Sequence, residues 1–221
     1  MPIHLYDIYR NPNIGIFSKA SDKLLLMPTA YSKQKSDKLA SLLGVEMLYA
    51  SVGNTRLLGP LIAMNNKGIL LSRFAEEEEA LFLRKSTGLN VEKLDSVYSS
   101  VGNLIAANDF GAAVADILSA KEIAQIKDVL DVPVEKGFVA GYYQLGSIVK
   151  PSNSGAIAHP RATDAELKWL KEILKVDCEV CTINGGVPFV SSGLLVNTRA
   201  AIVGSSTSGP ELFMLGKAFK V

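Results

Sequence analysis

Short apolar runs alternate with small polar turns along the chain, and this unit occurs five times. The third residues of successive turns are 43 to 45 positions apart. Because Asn, Asp, Ser and Gly tolerate the positive φ angles of tight turns, each turn with its flanking apolar runs predicts a β-hairpin. A period of this length is typical of repeat architectures. The turns are Ser21-Asp22-Lys23, Asn66-Lys67-Gly68, Asp109-Phe110-Gly111, Asn153-Ser154-Gly155 and Thr198-Arg199-Ala200. The apolar runs that precede them, predicted as first strands, include 14–17, 57–64, 104–107, 145–149 and 194–196.

A helical pattern follows the hairpin in four of the five units. In one of them Thr163 and Glu166 form a capping box. The acidic residues 76–79 suit the positive end of a helix dipole and predict a solvated helix start. In the fifth unit no helix is predicted, and residues 211–221 have the pattern of a strand. The predicted helices are 32–43, 76–85, 120–130 and 163–174, and the strands that follow them are 46–52, 96–101, 137–141 and 179–183.

The repeats predict a closed ring. An open stack of units has two ends that need polar caps, whereas a ring has none. We therefore predict an α+β fold, an α-β propeller of five ββαβ units with pseudo-fivefold symmetry. It is a single domain over residues 1–221. A pair of α/β subdomains is the alternative, which the length also allows. The predicted repeats are approximately 1–50, 51–99, 100–141, 142–183 and 184–221.

The composition is that of a globular protein, with 48% apolar and 20% charged residues. The formal net charge is +1, which argues against binding free nucleic acid through bulk charge. No apolar run approaches the roughly 20 residues that span a bilayer. No basic segment followed by a long apolar segment indicates secretion. We therefore expect a cytoplasmic protein that does not contact membranes.

Two cysteines and one histidine are the candidates for covalent or metal chemistry. Cys178 and Cys181 have a spacing that suits a metal or a redox pair, but His4 and His159 are the only histidines. The sequence predicts two reduced thiols, with a regulatory disulfide as the alternative. A nucleophilic Cys181–His159 pair would need hydrogen-bond contact and a third, orienting group, and the sequence shows neither. We predict no metal site, no cofactor and no catalytic residue.

The junctions between units contain the most informative polar residues. Glycines there suit sharp turns, and asparagines can satisfy nearby backbone groups, so a purely structural role is one interpretation. A ring would however bring the junctions together at one end, where rigid loops with amide, aromatic and arginine side chains form a plausible binding surface. The candidate residues are Asn54, Arg56, Asn103, Tyr143, Gln144 and Asn184.

Motifs spread over the whole chain support a family resemblance. They include Ile14-Gly15-Ile16-Phe17, Ser51-Val52-Gly53-Asn54, Val101-Gly102-Asn103 with Asn108-Asp109, His159-Pro160, and Ser205-Ser206-Thr207-Ser208-Gly209-Pro210-Glu211-Leu212. With these motifs the chain resembles the translation initiation factor six family, the ribosome anti-association factors of archaea and eukaryotes. Its features are similar to those of the archaeal members.

This resemblance implies a fold, a partner and a mechanism. The fold is the pentein fold of five quasi-identical units. The partner is the large ribosomal subunit, on the face that meets the small subunit, at ribosomal protein L14 (uL14) and near the sarcin–ricin loop. A bound monomer would block subunit joining, and a translational GTPase would release it. A role in large-subunit biogenesis is also implied. Arg56 and Asn103 match family positions on the ribosome-facing surface.

Two rival functions remain open at this point. The pentein fold also hosts enzymes that modify guanidino groups, which would require Cys181 or Cys178 to meet His159 and carboxylates in the central cavity. A shared fold does not establish such an activity. The other rival is a free RNA-binding module, which the near-zero net charge disfavours.

Overall fold

The computed structural model describes residues 2–220, which form five small sheets of three strands each. In every sheet the middle strand pairs antiparallel with one neighbour and parallel with the other. The strands are β1 Ile3–Leu5, β2 Lys19–Ala20, β3 Leu24–Pro28, β4 Glu46–Ala50, β5 Ile62–Met64, β6 Gly68–Leu71, β7 Asn90–Lys93, β8 Ile105–Ala107, β9 Ala112–Ala115, β10 Val134–Gly137, β11 Val149–Pro151, β12 Ala156–Ala158, β13 Cys178–Val180, β14 Leu194–Val196 and β15 Ala201–Val203.

Helices of two lengths connect the strands. Within the described residues, every helix is too short or too polar to cross a bilayer. Helices of eleven residues follow the second strand of each sheet, and one-turn helices of four residues precede the first strand. The long helices are α2 Lys33–Leu43, α4 Glu77–Thr87, α6 Ala120–Leu130, α8 Asp164–Leu174 and α9 Gly209–Phe219. The one-turn helices are α1 Ile14–Phe17, α3 Leu58–Leu61, α5 Val101–Leu104, α7 Leu145–Ile148 and a 3₁₀ helix at Val190–Gly193.

The first strand of the chain closes the ring. β1 pairs in parallel with β15, with Ile3 opposite Ala201, and β14 pairs with the other edge of β15. The one-turn helices also contact one another in a circle, because α1 touches both α3 and the 3₁₀ helix of the fifth unit. This arrangement confirms the predicted α+β ring of the pentein type with pseudo-fivefold symmetry. It does not fit two separate α/β subdomains.

The core lies between neighbouring sheets, in five clusters that each span two units. In β3, Leu24 and Leu26 pack toward the second unit, whereas Leu25 and Met27 pack toward α2 and the fifth sheet. Alternate residues of a strand point to opposite faces. A strand with two buried faces therefore needs a continuous apolar run, and this explains the apolar middle strands that the sequence shows.

The four predicted long helices are confirmed as α2, α4, α6 and α8, within two residues at each end. The predicted hairpins are also confirmed, since the first two strands of every sheet pair antiparallel across a turn. The apolar runs 14–17, 57–64 and 145–149 are wrong as continuous strands. Each begins with a one-turn helix, and in the last two the strand forms only over the final residues.

The predicted third strands are only partly right. The ranges 46–52 and 179–183 overlap β4 and β13, but 96–101 lies after the observed β7, and 137–141 shares only Gly137 with β10. β7 contains a single fully buried side chain, that of Val91, so its sequence lacks an apolar run. The apolar residues of the predicted ranges belong to the junctions and to α5.

The fifth unit differs most from its prediction. The pattern of residues 211–221 predicts a strand, but the structure has α9 there, and Val221 lies outside the described residues. The third strand of the fifth sheet is β1, from the opposite end of the chain. A linear repeat pattern cannot reveal this exchange, because the missing strand is the first segment of the sequence.

Strong start signals explain why α9 is helical. Ser208 is the N-cap, Glu211 completes a capping box, and Pro210 stands in the first turn. These residue types favour a helix start because they satisfy free N–H groups or lack one. Leu215 and Phe219 are four residues apart and fully buried on one face of the helix. The local signals for a helix were therefore present, and the apolar composition of the segment concealed them.

Candidate binding surface at the junction end of the ring

The ring has two chemically different ends, which we call the turn end and the junction end. The turn end contains the hairpin turns and the C-termini of the long helices. The junction end contains the loops between units, the one-turn helices and the N-termini of the long helices. This division follows from the strand directions, because the second and third strands of each sheet run in parallel toward the junctions.

Side-chain hydrogen bonds join neighbouring units at the turn end. Asn108 Nδ2 donates to the carbonyl of Ser152 at 3.0 Å and to that of Leu174 at 2.8 Å, at the turn and helix end of the next unit. Asn65 Nδ2 donates in the same way to one turn carbonyl and one helix carbonyl of the third unit. Asn197 Nδ2 donates to the corresponding two carbonyls of the first unit. The bonds of Asn197 therefore close the ring a second time.

A second set of polar side chains meets around the axis at the turn end. Asn153 Nδ2 lies 2.7 Å from a carboxylate oxygen of Asp22 and 2.7 Å from one of Asp109. Asn66 donates to Asp109, and Thr198 donates to Asp22. These groups bond to one another around a cavity of about 30 Å³, which has room for little more than water. The turn end therefore stabilises the ring and leaves few free polar groups.

Glutamates of the long helices hold the junction loops. Glu79 accepts hydrogen bonds from the backbone of Gly53 at 2.7 Å and of Asn54 at 3.2 Å. Glu211 likewise accepts hydrogen bonds from the backbone N–H groups of Gly185 at 3.0 Å and Gly186 at 2.9 Å. Each glutamate also caps its own helix, so one carboxylate rigidifies a helix start and the neighbouring junction.

These hydrogen bonds change the acidity of the glutamates. Burial alone would raise the pKa of Glu211, but the N–H and O–H donors around its carboxylate together lower it to about 2. The pKa of Glu79 is lowered as well, where hydrogen bonds from Ser51 and the backbone outweigh burial. The predicted solvated helix start at residues 76–79 is therefore wrong for Glu79, since its carboxylate bonds to the junction. The capping-box pattern was the signal for this role.

Glycines let the one-turn helices pack backbone to backbone around the axis. A Cβ atom on Gly102 would lie 2.1 Å from the carbonyl oxygen of Gly59, and one on Gly59 would lie 1.9 Å from that of Gly15. Real side chains cannot approach so closely, so these positions require glycine. In the fifth unit the equivalent residue is Ser191, and the helix there is 3₁₀. Gly102 thus has the structural role that the sequence indicated, through close packing rather than a turn.

Asn54, Arg56 and Asn103 lie at the junction end. Asn54 is exposed and has a φ of 57°. Arg56 is exposed, and its guanidinium lies 5.6 Å from the ring centre of Tyr9, in the preceding junction. Asn103 is half-buried on α5, at the mouth of an axial cavity that Ser147 also lines. These three side chains are positioned on rigid backbone and can contact a partner.

The other three candidates have different surroundings. Tyr143 is 46% exposed, and Gln144 is exposed at the N-cap of α7. Asn184 instead holds the seam between the fifth and first units. Its Nδ2 donates to the carbonyl of Pro12 at 3.0 Å, and its Oδ1 accepts from Thr207 at 3.2 Å. The structure therefore places Asn184 at the junction end with its side chain engaged inside the protein.

Sequence reasoning missed a set of arginine–aromatic pairs at the junction end. Arg73 lies over the ring of Phe74, 5.4 Å from its centre, and Arg161 lies 6.0 Å from the ring centre of Tyr142. Both arginines follow a second strand, where the chain reaches the junction end. Phe74 is 52% exposed. Arginine and aromatic side chains are enriched at interfaces and on surfaces that bind RNA, and their adjacency in Arg73-Phe74 was the available signal.

The cysteine and histidine side chains have contacts that do not suit catalysis. Cys181 is buried and donates to the carbonyl of Thr182, whereas His159 accepts from the backbone of Arg161. Burial raises the pKa of the Cys178 thiol to about 12 and that of Cys181 to about 11. Both are therefore poor nucleophiles. Within residues 2–220, no group of three or more His, Cys, Asp or Glu side chains is positioned to hold a metal ion.

Comparison with solved structures finds similar chains among enzymes. The substrate-bound N-terminal domain of ArgZ, an arginine dihydrolase from cyanobacteria, has a TM-score of 0.46 and 14% sequence identity to this chain. The match covers 86% of this chain and 85% of that chain.

Sequence comparison covers almost the whole chain. The translation initiation factor 6 of Nitrosopumilus maritimus is 45% identical over 219 residues, with 99% of both chains covered. That of Cenarchaeum symbiosum is 43% identical over 219 residues, again with 99% of both covered. That of Thermococcus onnurineus is 32% identical over 223 residues, with 99% of this chain and 98% of the relative covered. The model of the eIF-6 family matches residues 3–218, and the chain therefore belongs to the eIF-6 family.

Proposed function

We propose that this protein binds the large ribosomal subunit through its junction end and thereby prevents the small subunit from joining. The names of its relatives support a role in translation initiation. The observation that carries the choice of surface is the contrast between the two ends of the ring. Within residues 2–220, Arg56, Arg73 and Arg161 form no ion pair, whereas the polar groups of the turn end bond to one another.

The chemistry of the junction end suits a mixed protein and RNA surface. Unpaired arginines can bind phosphate through two N–H groups, and exposed aromatic rings can stack on bases or pack against a protein. We propose that the partner surface comprises ribosomal protein uL14 (L14) and the rRNA near the sarcin–ricin loop. The proposed contact residues are Asn103, Arg56, Asn54, Tyr143 and Gln144, with Asn184 at the edge of the surface.

The proposed mechanism is steric exclusion without catalysis. A closed ring with cores between all neighbouring units is rigid, so a bound copy occupies a fixed volume on the subunit face. The small subunit cannot occupy the same volume. We propose that the protein acts as a monomer in the cytoplasm, takes part in large-subunit biogenesis, and is released by a translational GTPase.

The guanidino-modifying alternative has little support from the side chains. An enzyme of that kind needs a thiolate at neutral pH, and both thiols have raised pKa values. Cys181 and His159 also contact different groups. The thiol of Cys181 donates to the carbonyl of Thr182, whereas His159 accepts from the backbone of Arg161 and packs against the ring of Tyr142. We therefore propose a non-enzymatic function, and incubation with arginine or agmatine should yield no citrulline-type product.

Co-sedimentation with purified ribosomal subunits tests the proposal. We expect the protein to sediment with the large subunit and to reduce the yield of joined particles. Asn103→Arg should weaken both effects, because the longer charged side chain would stand at the proposed interface. Asn90→Arg is the matched control, since Asn90 is exposed at the start of β7, toward the turn end. Normal binding by Asn103→Arg, or weakened binding by Asn90→Arg, would contradict the assignment of the surface.

A further inference from the structure

Two lysines project into the middle of the ring. The first strands of neighbouring units contact one another around the axis, and Lys19 of β2 and Lys150 of β11 belong to these strands. Both side chains line one axial cavity of about 30 Å³. Lys150 is only 8% exposed, and Lys19 is half-buried. Lysine is rarely buried in proteins without a partner, so the pair requires an explanation.

The repeat shows that the two lysines occupy equivalent places. Both stand two residues before a serine, Ser21 or Ser152, whose hydroxyl accepts hydrogen bonds from the backbone N–H groups two and three residues further on. The equivalent residues in the second and third units are Ala63 and Ala106, and in the fifth unit Leu195. Ala63 and Ala106 also line the cavity. Because the side chains of Ala63 and Ala106 are small, they leave a space into which the side chains of Lys19 and Lys150 extend.

No acidic side chain faces these amines. The other residues that line the cavity are apolar or glycine, and within residues 2–220 neither lysine forms an ion pair. The carboxylates of Asp22 and Asp109 line a different cavity, at the turn end, where Asn153 donates to both. The residues that line this cavity between the lysines therefore supply no acidic counter-charge to the two amines.

We propose that the axial cavity binds a small inorganic anion of halide size between Lys19 and Lys150. The size of the cavity limits the ligand, because a single water needs about 10–15 Å³ of the same measure. A monatomic anion fits this space, whereas a phosphate group with its hydration does not. A buried charge is stabilised when an opposite charge lies beside it, and one anion can neutralise both amines.

The protonation state of Lys150 agrees with this assignment. Burial lowers the pKa of Lys150 to about 8, so its amine still carries a proton at pH 7. Burial and the charge of Lys150 both lower the pKa of Lys19. A bound anion raises both pKa values again, because it favours the charged form of each amine.

A second axial cavity adjoins this one on the side of the junction end, and the two share Lys19 and Gly146 in their walls. The second cavity has a volume of about 50 Å³ and is also lined by Asn103, Ser147 and Ser192. The amide and hydroxyl groups of these residues can donate hydrogen bonds to a passing anion. The proposed site thus lies below the binding surface and is independent of the function proposed for that surface.

Unfolding at constant ionic strength tests the site. Chloride is exchanged for gluconate, which is too large for the cavity, and thermal unfolding is recorded at pH 7. We expect the midpoint to rise by roughly 3–5 °C for each tenfold increase in chloride above the dissociation constant. Lys150→Met should remove this dependence, because Met keeps the length of the side chain without its charge. Lys33→Met, at an exposed lysine, should retain it.

Crystals of the wild-type protein soaked in bromide give a direct measurement that needs no variant. We expect an anomalous peak between Lys19 and Lys150. A cavity that holds only water, or a chloride dependence that is equal in the wild type and in Lys150→Met, would overturn the proposal. If Lys150→Met does not fold, Lys19→Met takes its place in the unfolding series.

Discussion

The turn end and the junction end contain similar residue types but use them differently. At the turn end, Asn65, Asn108 and Asn197 donate to carbonyls of the next unit and so join the ring. At the junction end, the loop backbone is held by glutamates of the long helices, as Glu79 and Glu211 show. The side chains of Asn54, Arg56, Tyr143 and Gln144 therefore remain exposed.

This contrast shows why a list of polar residues does not identify a binding site. A side chain is available to a partner only if other groups already satisfy the backbone and the neighbouring units. Asn103 and Asn108 flank the same strand, β8, yet Asn108 has four hydrogen bonds and is buried. Asn103 is half-buried at the mouth of the axial cavity. Five substitutions test this difference between the two ends.

The largest effect should come from Gly102→Ala. The added Cβ would lie 2.1 Å from the carbonyl oxygen of Gly59. Relief of this clash requires the two one-turn helices to move apart, and this movement would open the ring. We expect the free energy of unfolding to fall by about 3 kcal/mol or more, at the upper end for overpacking. Urea denaturation of the variant and the wild type measures this change in the free energy of unfolding. Gly216→Ala in α9 is the control, because nothing lies within 4 Å of its added Cβ. This control should stabilise the protein by about 0.5–1 kcal/mol.

Glu211→Gln should have the next largest effect. The folded pKa of about 2 lies below the ordinary Glu value near 4.3. Glu211 therefore contributes about 3 kcal/mol above pH 4.3, and this contribution is lost as the pH falls toward 2. Unfolding measured from pH 7 to pH 2 should show a smaller acid dependence in the variant. The same result with Glu172→Gln, at an exposed position of α8, would show that Glu211 has no special role.

Asn108→Ala and Asn103→Ala compare the two ends directly. Loss of the Asn108 amide leaves buried carbonyl and N–H groups without partners, and we expect a cost of about 2 kcal/mol in unfolding free energy. Asn103→Ala should change stability by less than about 0.5 kcal/mol but weaken binding to the large subunit. Equal loss of stability in both variants would remove the distinction between the ends.

The smallest effect on stability should come from Arg56→Ala, since the side chain is exposed and contacts one ring. If Arg56 binds a phosphate, its removal should weaken subunit binding and reduce the slope of log affinity against log salt by about 1. Binding titrations at several salt concentrations measure this slope. Lys85→Ala serves as the control because Lys85 is an exposed cation in the last turn of α4, at the turn end. An unchanged slope for Arg56→Ala would place Arg56 away from rRNA.

Local sequence signals predicted much of the fold because the units repeat. The turns contain residues that tolerate positive φ, and the long helices have caps and apolar stripes, so α2, α4, α6 and α8 follow from the sequence. The third strands were harder to predict, since β7 buries only Val91 fully. The one-turn helices gave no periodic signal, because four residues are too few to show one.

The candidate site was predicted less completely than the fold. The junctions supplied Asn54, Arg56 and Asn103, and the structure places them at one end of the ring. The side chain of Asn184 is engaged in the seam with Pro12, 172 positions away. A contact over that separation depends on ring closure, and no local pattern contains it. The pairing of Arg56 with Tyr9 joins two neighbouring junctions and therefore also depends on the packing of whole units.

The sequence by itself determined the repeating unit, the turns, four of the five long helices and the family. These properties depend on neighbouring residues, whose preferences and spacing can be read along the chain. Only the tertiary structure decided that β1 completes the last sheet, that glycines bring the one-turn helices together, and that Lys19 and Lys150 share a cavity. These features depend on contacts between residues of different units, which are far apart along the chain and meet only in the folded ring.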